Sequence, residues 1–414
     1  MYKIQSLLLL IFLSLFSTAQ DSEGNFLKDA KTGCTVWFKR GFTEDSVSWS
    51  GGSKNGFASG KGQMFGFTQG KQTCAYTGEM HEGKPHGNGS FTFGNNRKLE
   101  GNFSQGEPLF LAKNHLKHLH KQRVSDNDSS NMYVSDNNLK HLYYHALVPE
   151  GKIKGALILL PGTWETTEHL ISSTRTLHEL AFKQNFIVLS LSINQRITLT
   201  EEIVLTMNRM IGDAITRYSI PEDKIVLGGW SMGGLFSLRY TELSNQDSGK
   251  TVIKPAAVFS CDGPSDLINI YQMFENKLKK FPDNSEAQYG VNELKTYCGG
   301  TPDEARSTYI FYSVYTHSAK DGGNVKYLLK TPVRIYNDID PKWWMQNRGL
   351  DMYSMNGLDQ TAMIQWLNDK GNSKAEFINA YQKGYRIEGN RHPHSWSIVD
   401  PEDCIQWILG IVNP

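Results

Sequence analysis

Ser231 sits in the run Gly228-Gly229-Trp230-Ser231-Met232-Gly233-Gly234, directly after the apolar strand-like triplet Ile225-Val226-Leu227 and before a helix-like segment at 235–243. A serine framed as Gly-x-Ser-x-Gly between a strand and a helix lies on a sharp turn whose small neighbours lift its hydroxyl clear of the backbone. The chemistry this serves is nucleophilic attack on an acyl carbon. A neutral serine hydroxyl is a poor nucleophile, so a base must take its proton and a third group must orient that base. The motif alone is common by chance in a chain this rich in glycine, and its setting gives it weight.

The elements that must hold this serine are legible from about residue 140 onward. Continuous apolar runs at 156–160, 186–191, 225–227, 256–259 and 333–336 read as buried strands, and 143–148 alternates. Amphipathic stretches lie between them, such as 201–218, which begins after a capping Thr200. Strands apolar on both faces and separated by helices imply a mainly parallel sheet covered on each side, an α/β fold.

In this setting the chain resembles the α/β-hydrolase superfamily over about 140–414, and the stretch from Tyr218-Ser219-Ile220-Pro221 to Gly234 is similar to its secreted esterase branches. The resemblance implies an oxyanion loop after an upstream strand, and Leu157-Ile158-Leu159-Leu160-Pro161-Gly162-Thr163-Trp164 fits, with Pro161-Gly162 where the family usually carries His-Gly. The implied donors are the N–H groups of Met232 and Thr163, with Trp164 the near alternative. The resemblance places the acid after a late strand: Asp340 matches that position better than Asp338, and Asp262, after the strand ending at Ser260, is the remaining candidate. It places the base before a C-terminal helix, where Arg391-His392-Pro393-His394-Ser395-Trp396 precedes the amphipathic 401–411. His394 is the implied base, and His392, held by Pro393, shapes the loop. The chain order Ser, Asp, His is met, and the implied mechanism needs no metal and no organic cofactor.

Four tryptophans crowd this inferred site: Trp164, Trp230, Trp343 and Trp344. Flat aromatic faces can line an acyl pocket or stack on a sugar, although core packing explains Trp230 equally well. Residues 264–330 are longer than a simple crossover and are expected to insert a cap.

Residues 20–110 differ in character, being rich in glycine and aromatics with short strand-like pieces between turns. Trp49-Ser50-Gly51 with Gly60-Lys61-Gly62, and Tyr76-Thr77-Gly78 with Gly87-Asn88-Gly89, repeat one pattern, and Leu99-Glu100-Gly101 starts a third copy. This resembles MORN repeats, β-hairpin units that stack an aromatic on the next hairpin, and such an array offers a contact to an envelope or protein partner. Residues 111–139, with His115, His118, His120 and then a polar run, read as a linker, and their histidine spacing is not a recognised metal-ligand pattern.

At the N-terminus, Lys3, the apolar run 7–16 and small residues at Ser17 and Ala19 have the layout of a secretory signal peptide spanning 1–19, too short to cross a bilayer. The expected location is secreted or periplasmic, with no cysteine near the cleavage site to accept a lipid. Five cysteines in an exported chain allow two bridges at most, and Cys34 with Cys74 is the expected pair. With 43 Lys and Arg against 42 Asp and Glu over 414 residues, the net charge of +1 advertises neither nucleic acid nor an anionic membrane as partner.

Three functions remain. The first is a carboxylesterase acting on a small-molecule or glycan-linked ester. The second is a serine peptidase of the same fold, against which the N-terminal region is too small to be a propeller. The third is a non-catalytic envelope-binding protein.

Overall fold

The computed structural model describes residues 25–39, 42–125, 132–133 and 142–413. The signal-peptide segment expected at 1–19 lies outside them.

The N-terminal region is a nine-stranded sheet, and its glycines explain its shape. The strands are β1 (Asn25–Lys28), β2 (Thr35–Phe38), β3 (Ser46–Trp49), β4 (Gly52–Lys54), β5 (Phe57–Thr68), β6 (Lys71–His81), β7 (Lys84–Phe93), β8 (Lys98–Ser104) and β9 (Glu107–Leu109). From β5 to β9 each strand pairs antiparallel with the next, as tight turns dictate. The Tyr76 ring lies flat across two strands, because a β-carbon at Gly78 or Gly89 would fall 2.4 Å from its hydroxyl. Trp49 does the same over Gly51 and Gly62, at 2.4 and 2.6 Å. Each aromatic therefore packs on backbone that only glycine leaves bare, and Phe103, Met64 and Met80 complete the small core. Cys34 and Cys74 both lie in it as free thiols, as do the other three cysteines elsewhere in the chain, so the expected bridge is not formed. Cys34 faces Thr32 in the β1–β2 turn, whereas Cys74 faces Gly66 of the neighbouring strand.

After a short helix α1 (Lys113–Leu116), the segment read as a linker turns into sheet. Strand β10 (Leu119–Ser125) pairs antiparallel with β11 (Leu142–Leu147) and opens the second sheet, so that sheet starts near residue 119, within the segment read as a linker. Its His-Lys-Gln-Arg run looks like a tether because an edge strand can keep polar side chains toward water. His115 is instead buried against Phe182, ring centroids 4.7 Å apart, and His118 binds Glu150 at 3.0 Å.

Six parallel strands follow: β12 (Gly155–Leu160), β13 (Phe186–Leu191), β14 (Ile225–Trp230), β15 (Ala257–Cys261), β16 (Val333–Asn337) and β17 (Ala375–Asn379). The sheet order is β10-β11-β13-β12-β14-β15-β16-β17, with β11 antiparallel to β13. Successive side chains point to opposite faces, so Ala156, Ile158 and Leu160 join one core while Leu157 and Leu159 join the other. The first face is covered by α4 (Glu201–Tyr218), α5 (Met232–Gln246) and, further on, α10 (Gly357–Asp369). The second is covered by α2 (Thr167–Ser173), α3 (Arg175–Lys183) and α11 (Pro401–Val412). Thr200 occupies the N-cap of α4 but makes no side-chain cap bond.

Burial in the second face has a pH consequence. His178 of α3 is 1% exposed, and burial pushes its pKa down to about 4. The unfolded chain, titrating near 6.5, therefore binds a proton that the folded state refuses, and stability is lost as pH falls from about 6.5 toward 4. Wild type is expected to lose about 2 kcal/mol from this residue between pH 7 and pH 5. Urea midpoints at the two pH values will show a smaller pH dependence in His178→Gln.

Candidate active site

The turn between β14 and α5 delivers Ser231. Its φ of 55° and ψ of −125° place a non-glycine residue in strained backbone, held by its N–H donating to the Cys261 carbonyl at 3.0 Å and its own carbonyl accepting from Gly234 at 2.9 Å. Close packing enforces the turn: a β-carbon at Gly233 would fall 2.3 Å from the Leu160 carbonyl oxygen, so the loop leaving β12 rests directly on the start of α5.

That contact brings Thr163 to the same place. Among the described residues, neither Thr163 N–H nor Met232 N–H has an acceptor within the chain, as two donors aimed at a substrate oxyanion require. Trp164 is excluded from that role because its N–H donates to the Asn194 carbonyl at 2.8 Å. The loop is pinned by buried Glu165, whose carboxylate accepts from Gly162 N–H at 3.1 Å, from the Trp396 indole N–H at 3.0 and 3.1 Å, and lies 2.9 Å from His169 Nδ1.

His394 Nδ1 lies 2.6 Å from Asp262 Oδ2. A carboxylate only accepts, so the proton sits on Nδ1 and Nε2 keeps its lone pair. The imidazole lies against Trp230, ring centroids 4.9 Å apart, beside the nucleophile. Asp262 follows β15 directly, its backbone at φ 48°, and is 5% exposed. Its second oxygen accepts from Asn337 at 2.7 Å and Asn356 at 3.2 Å. These two asparagines, which carry no motif signal in the sequence, satisfy a carboxylate that burial would otherwise penalise.

Asp340, the acid expected from the sequence, is elsewhere. It caps α9 (Pro341–Arg348) by accepting from Trp343 N–H at 3.0 Å and pairs with Arg391 at 2.9 Å. Asp338 pairs with the same arginine and accepts from Gln382 and Gly384 N–H, which fixes the loop leading to His394. The two therefore shape the base's loop without touching the base.

A cleft of about 790 Å³ opens beside the nucleophile turn and is lined by Thr163, Trp164, Trp230 and Trp343. Trp344 does not line it but packs edge-on against Trp343, ring centroids 5.2 Å apart. The expected cap is also displaced. Residues 264–330 form three helices, α6 (Leu267–Lys280), α7 (Ser285–Cys298) and α8 (Arg306–Tyr312), and none of them lines the cleft. Their apolar faces belong to the first core layer, and α7 approaches the site where Tyr289 packs on Trp164 at 4.9 Å, its hydroxyl donating to the Gln195 carbonyl, and where Glu286 comes within electrostatic reach of Arg348 and His394. The opposite wall comes from the N-terminal sheet, through Phe42, Glu44, Thr73 and Asn95.

The strand order, the antiparallel second strand and the strained serine turn together define an α/β-hydrolase-type fold. No protein-family model matches the chain, and no curated protein matches it. Among solved structures it is similar to a lipase/esterase from Lactobacillus plantarum, with 12% identity, TM-score 0.40, and 70% of this chain and 97% of that one covered. It is also similar to fungal esterases from Rhizomucor miehei, with 12% identity, TM-score 0.44 and coverage of 71% and 84%. Esterase B from Lactobacillus rhamnosis gives 10% identity, TM-score 0.43 and coverage of 72% and 87%.

Proposed function

We propose that this chain is an exported serine hydrolase that cleaves a carboxylic ester through an acyl-Ser231 intermediate. The observation that carries the reading is the pairing of His394 Nδ1 with buried Asp262 at 2.6 Å, with the imidazole packed on Trp230, the neighbour of a serine held at φ 55°. His394 Nε2 takes the Ser231 proton as Oγ attacks the acyl carbon, and Asp262 holds the tautomer and steadies the imidazolium. Met232 and Thr163 N–H stabilise the oxyanion. The alcohol leaves with the proton from His394, and water, deprotonated by the same nitrogen, releases the acid and restores Ser231. Export rests on the charged, apolar and small-residue layout of residues 1–19. The aromatic-over-glycine packing of Trp49 and Tyr76 supports a MORN-type reading of the N-terminal sheet, which supplies one wall of the substrate cleft.

A fluorophosphonate probe tests this reading. The purified chain is expected to become labelled on one peptide containing Ser231, with labelling blocked by short acyl esters. A folded protein that stays unlabelled, or labels at another residue, removes the reading.

A further inference from the structure

Two arginines that line the cleft next to the Ser231 turn lack a close carboxylate partner. Lys39 is paired with Glu107 at 2.7 Å, and Arg391 with both Asp338 and Asp340 at 2.9 Å. Glu165 is hydrogen-bonded by the oxyanion loop, His169 and Trp396 and, with Glu388, attracts Arg386 from beyond ion-pair distance, while Glu44 accepts the Thr73 hydroxyl at 2.7 Å through one oxygen and its other oxygen is buried without a partner. Arg386 and Arg348 line the same cleft and, among the described residues, neither has a carboxylate within ion-pair distance, Glu388 included. Arg386 is half-buried, and its guanidinium lies 4.8 Å from the centre of the Trp230 ring, whose other contact is His394. Arg348 reaches the cleft from the end of α9 and lies 3.4 Å from His392 Nε2.

Burying a guanidinium without a close counter-ion is costly, and stacking on one indole and the attraction of Glu165 and Glu388 beyond ion-pair distance offset only part of that cost. Two buried donors nearby also have no acceptor: the Trp230 indole N–H and, in whichever tautomer carries it, His392 Nδ1. Burial, followed by neighbouring cationic side chains with Arg386 foremost, holds His392 down at about 2. An oxyanion is the one chemical group that would pair with both arginines and accept from both of these donors.

We propose that the ester substrate is anionic and that its carboxylate or phosphate group is seated in this cleft by Arg386, with Arg348 as the second cation. The inference rests on the serine-hydrolase reading and adds a substrate class to it. Held by Arg386, the anion lies within reach of the Trp230 indole N–H next to the reacting centre, in a space walled by the N-terminal sheet, so charge recognition and attack on the ester occur in one bound pose.

The test compares three acetyl esters on the full chain: 4-acetoxybenzoate, its neutral methyl ester, and 4-acetoxyphenyl phosphate, each normalised to its hydroxide-catalysed rate. One or both anions are expected to exceed the neutral ester in kcat/KM by roughly tenfold or more, with the excess shrinking as salt is raised. The better anion identifies carboxylate or phosphate as the natural group. In Arg386→Gln the anion-to-neutral ratio is expected to collapse toward one, whatever happens to the neutral rate, while Arg386→Lys retains part of it. Retained fluorophosphonate labelling shows that each variant is folded. Equal turnover of charged and neutral esters in labelled wild type, or an unchanged ratio in Arg386→Gln, overturns this inference alone. Absence of both labelling and turnover overturns the hydrolase reading and this inference with it.

Discussion

Asp262→Asn is expected to lower kcat on a short acyl ester by about 10⁴-fold with little change in KM, whereas Asp340→Asn leaves kcat within a few-fold of wild type. The difference follows from what each carboxylate touches. Asp262 receives the Nδ1 proton of His394 at 2.6 Å, and an amide there favours the opposite tautomer, which turns Nε2 from acceptor into donor. The base is lost although the shape is kept. Asp340 caps α9 and shares Arg391 with Asp338; asparagine caps a helix as well as aspartate does, so its amide weakens only one mostly buried ion pair while Arg391 keeps Asp338, a cost of about 1–2 kcal/mol in stability. Steady-state kinetics on both variants decide between the two acids: a larger loss in Asp340→Asn would return the acid to the loop after β16.

A stability effect of similar weight is expected behind the nucleophile. Arg239 and Glu242 on α5 are 1% and 0% exposed and lie 3.2 Å apart, with Arg239 Nε also donating to the Phe311 carbonyl at 3.0 Å. Arg239→Met leaves Glu242 as a buried acid without its cation and is expected to cost about 3–5 kcal/mol in urea unfolding. Arg239→Met combined with Glu242→Met removes both charges and is expected to recover most of that loss, because an apolar pair of similar volume avoids the desolvation of two ions. A single variant costing under about 1 kcal/mol would mean that water already reaches the pair. Since α5 begins at Ser231, the single variant should also lose activity on warming before the wild type does.

The serine turn and the histidine loop were readable in the chain because both are local. Gly228 to Gly234 contains the strand end, the close-approach glycines and the helix start within one short run, and His394 lies within a few residues of the helix that follows it. The parallel sheet was readable too, since β12 to β16 are apolar on both faces and leave a continuous pattern. Strand β10 was not, because its polar residues obey the rules of a sheet edge, which in sequence look like those of a tether.

The acid and the cleft belong to the tertiary structure. The loops after β15 and β16 emerge side by side from neighbouring parallel strands, so Asp262, Asp338 and Asp340 all arrive near His394, and sequence order cannot rank them. Asp262 takes the position because Asn337 and Asn356, from two other elements, complete its hydrogen bonds and its positive φ turns it toward the imidazole. The cleft wall is decided by docking: Asn95 of the N-terminal domain donates to the Glu388 carbonyl and to Asn390, and Ser172 of α2 donates to the Pro108 carbonyl. No local pattern encodes such contacts, because each depends on two surfaces that meet only after both sheets have formed. By itself the sequence determined the serine turn, the histidine loop and the sheet that carries them. Which carboxylate serves the base, and which surface faces the substrate, were decided by how separate parts of the chain pack together.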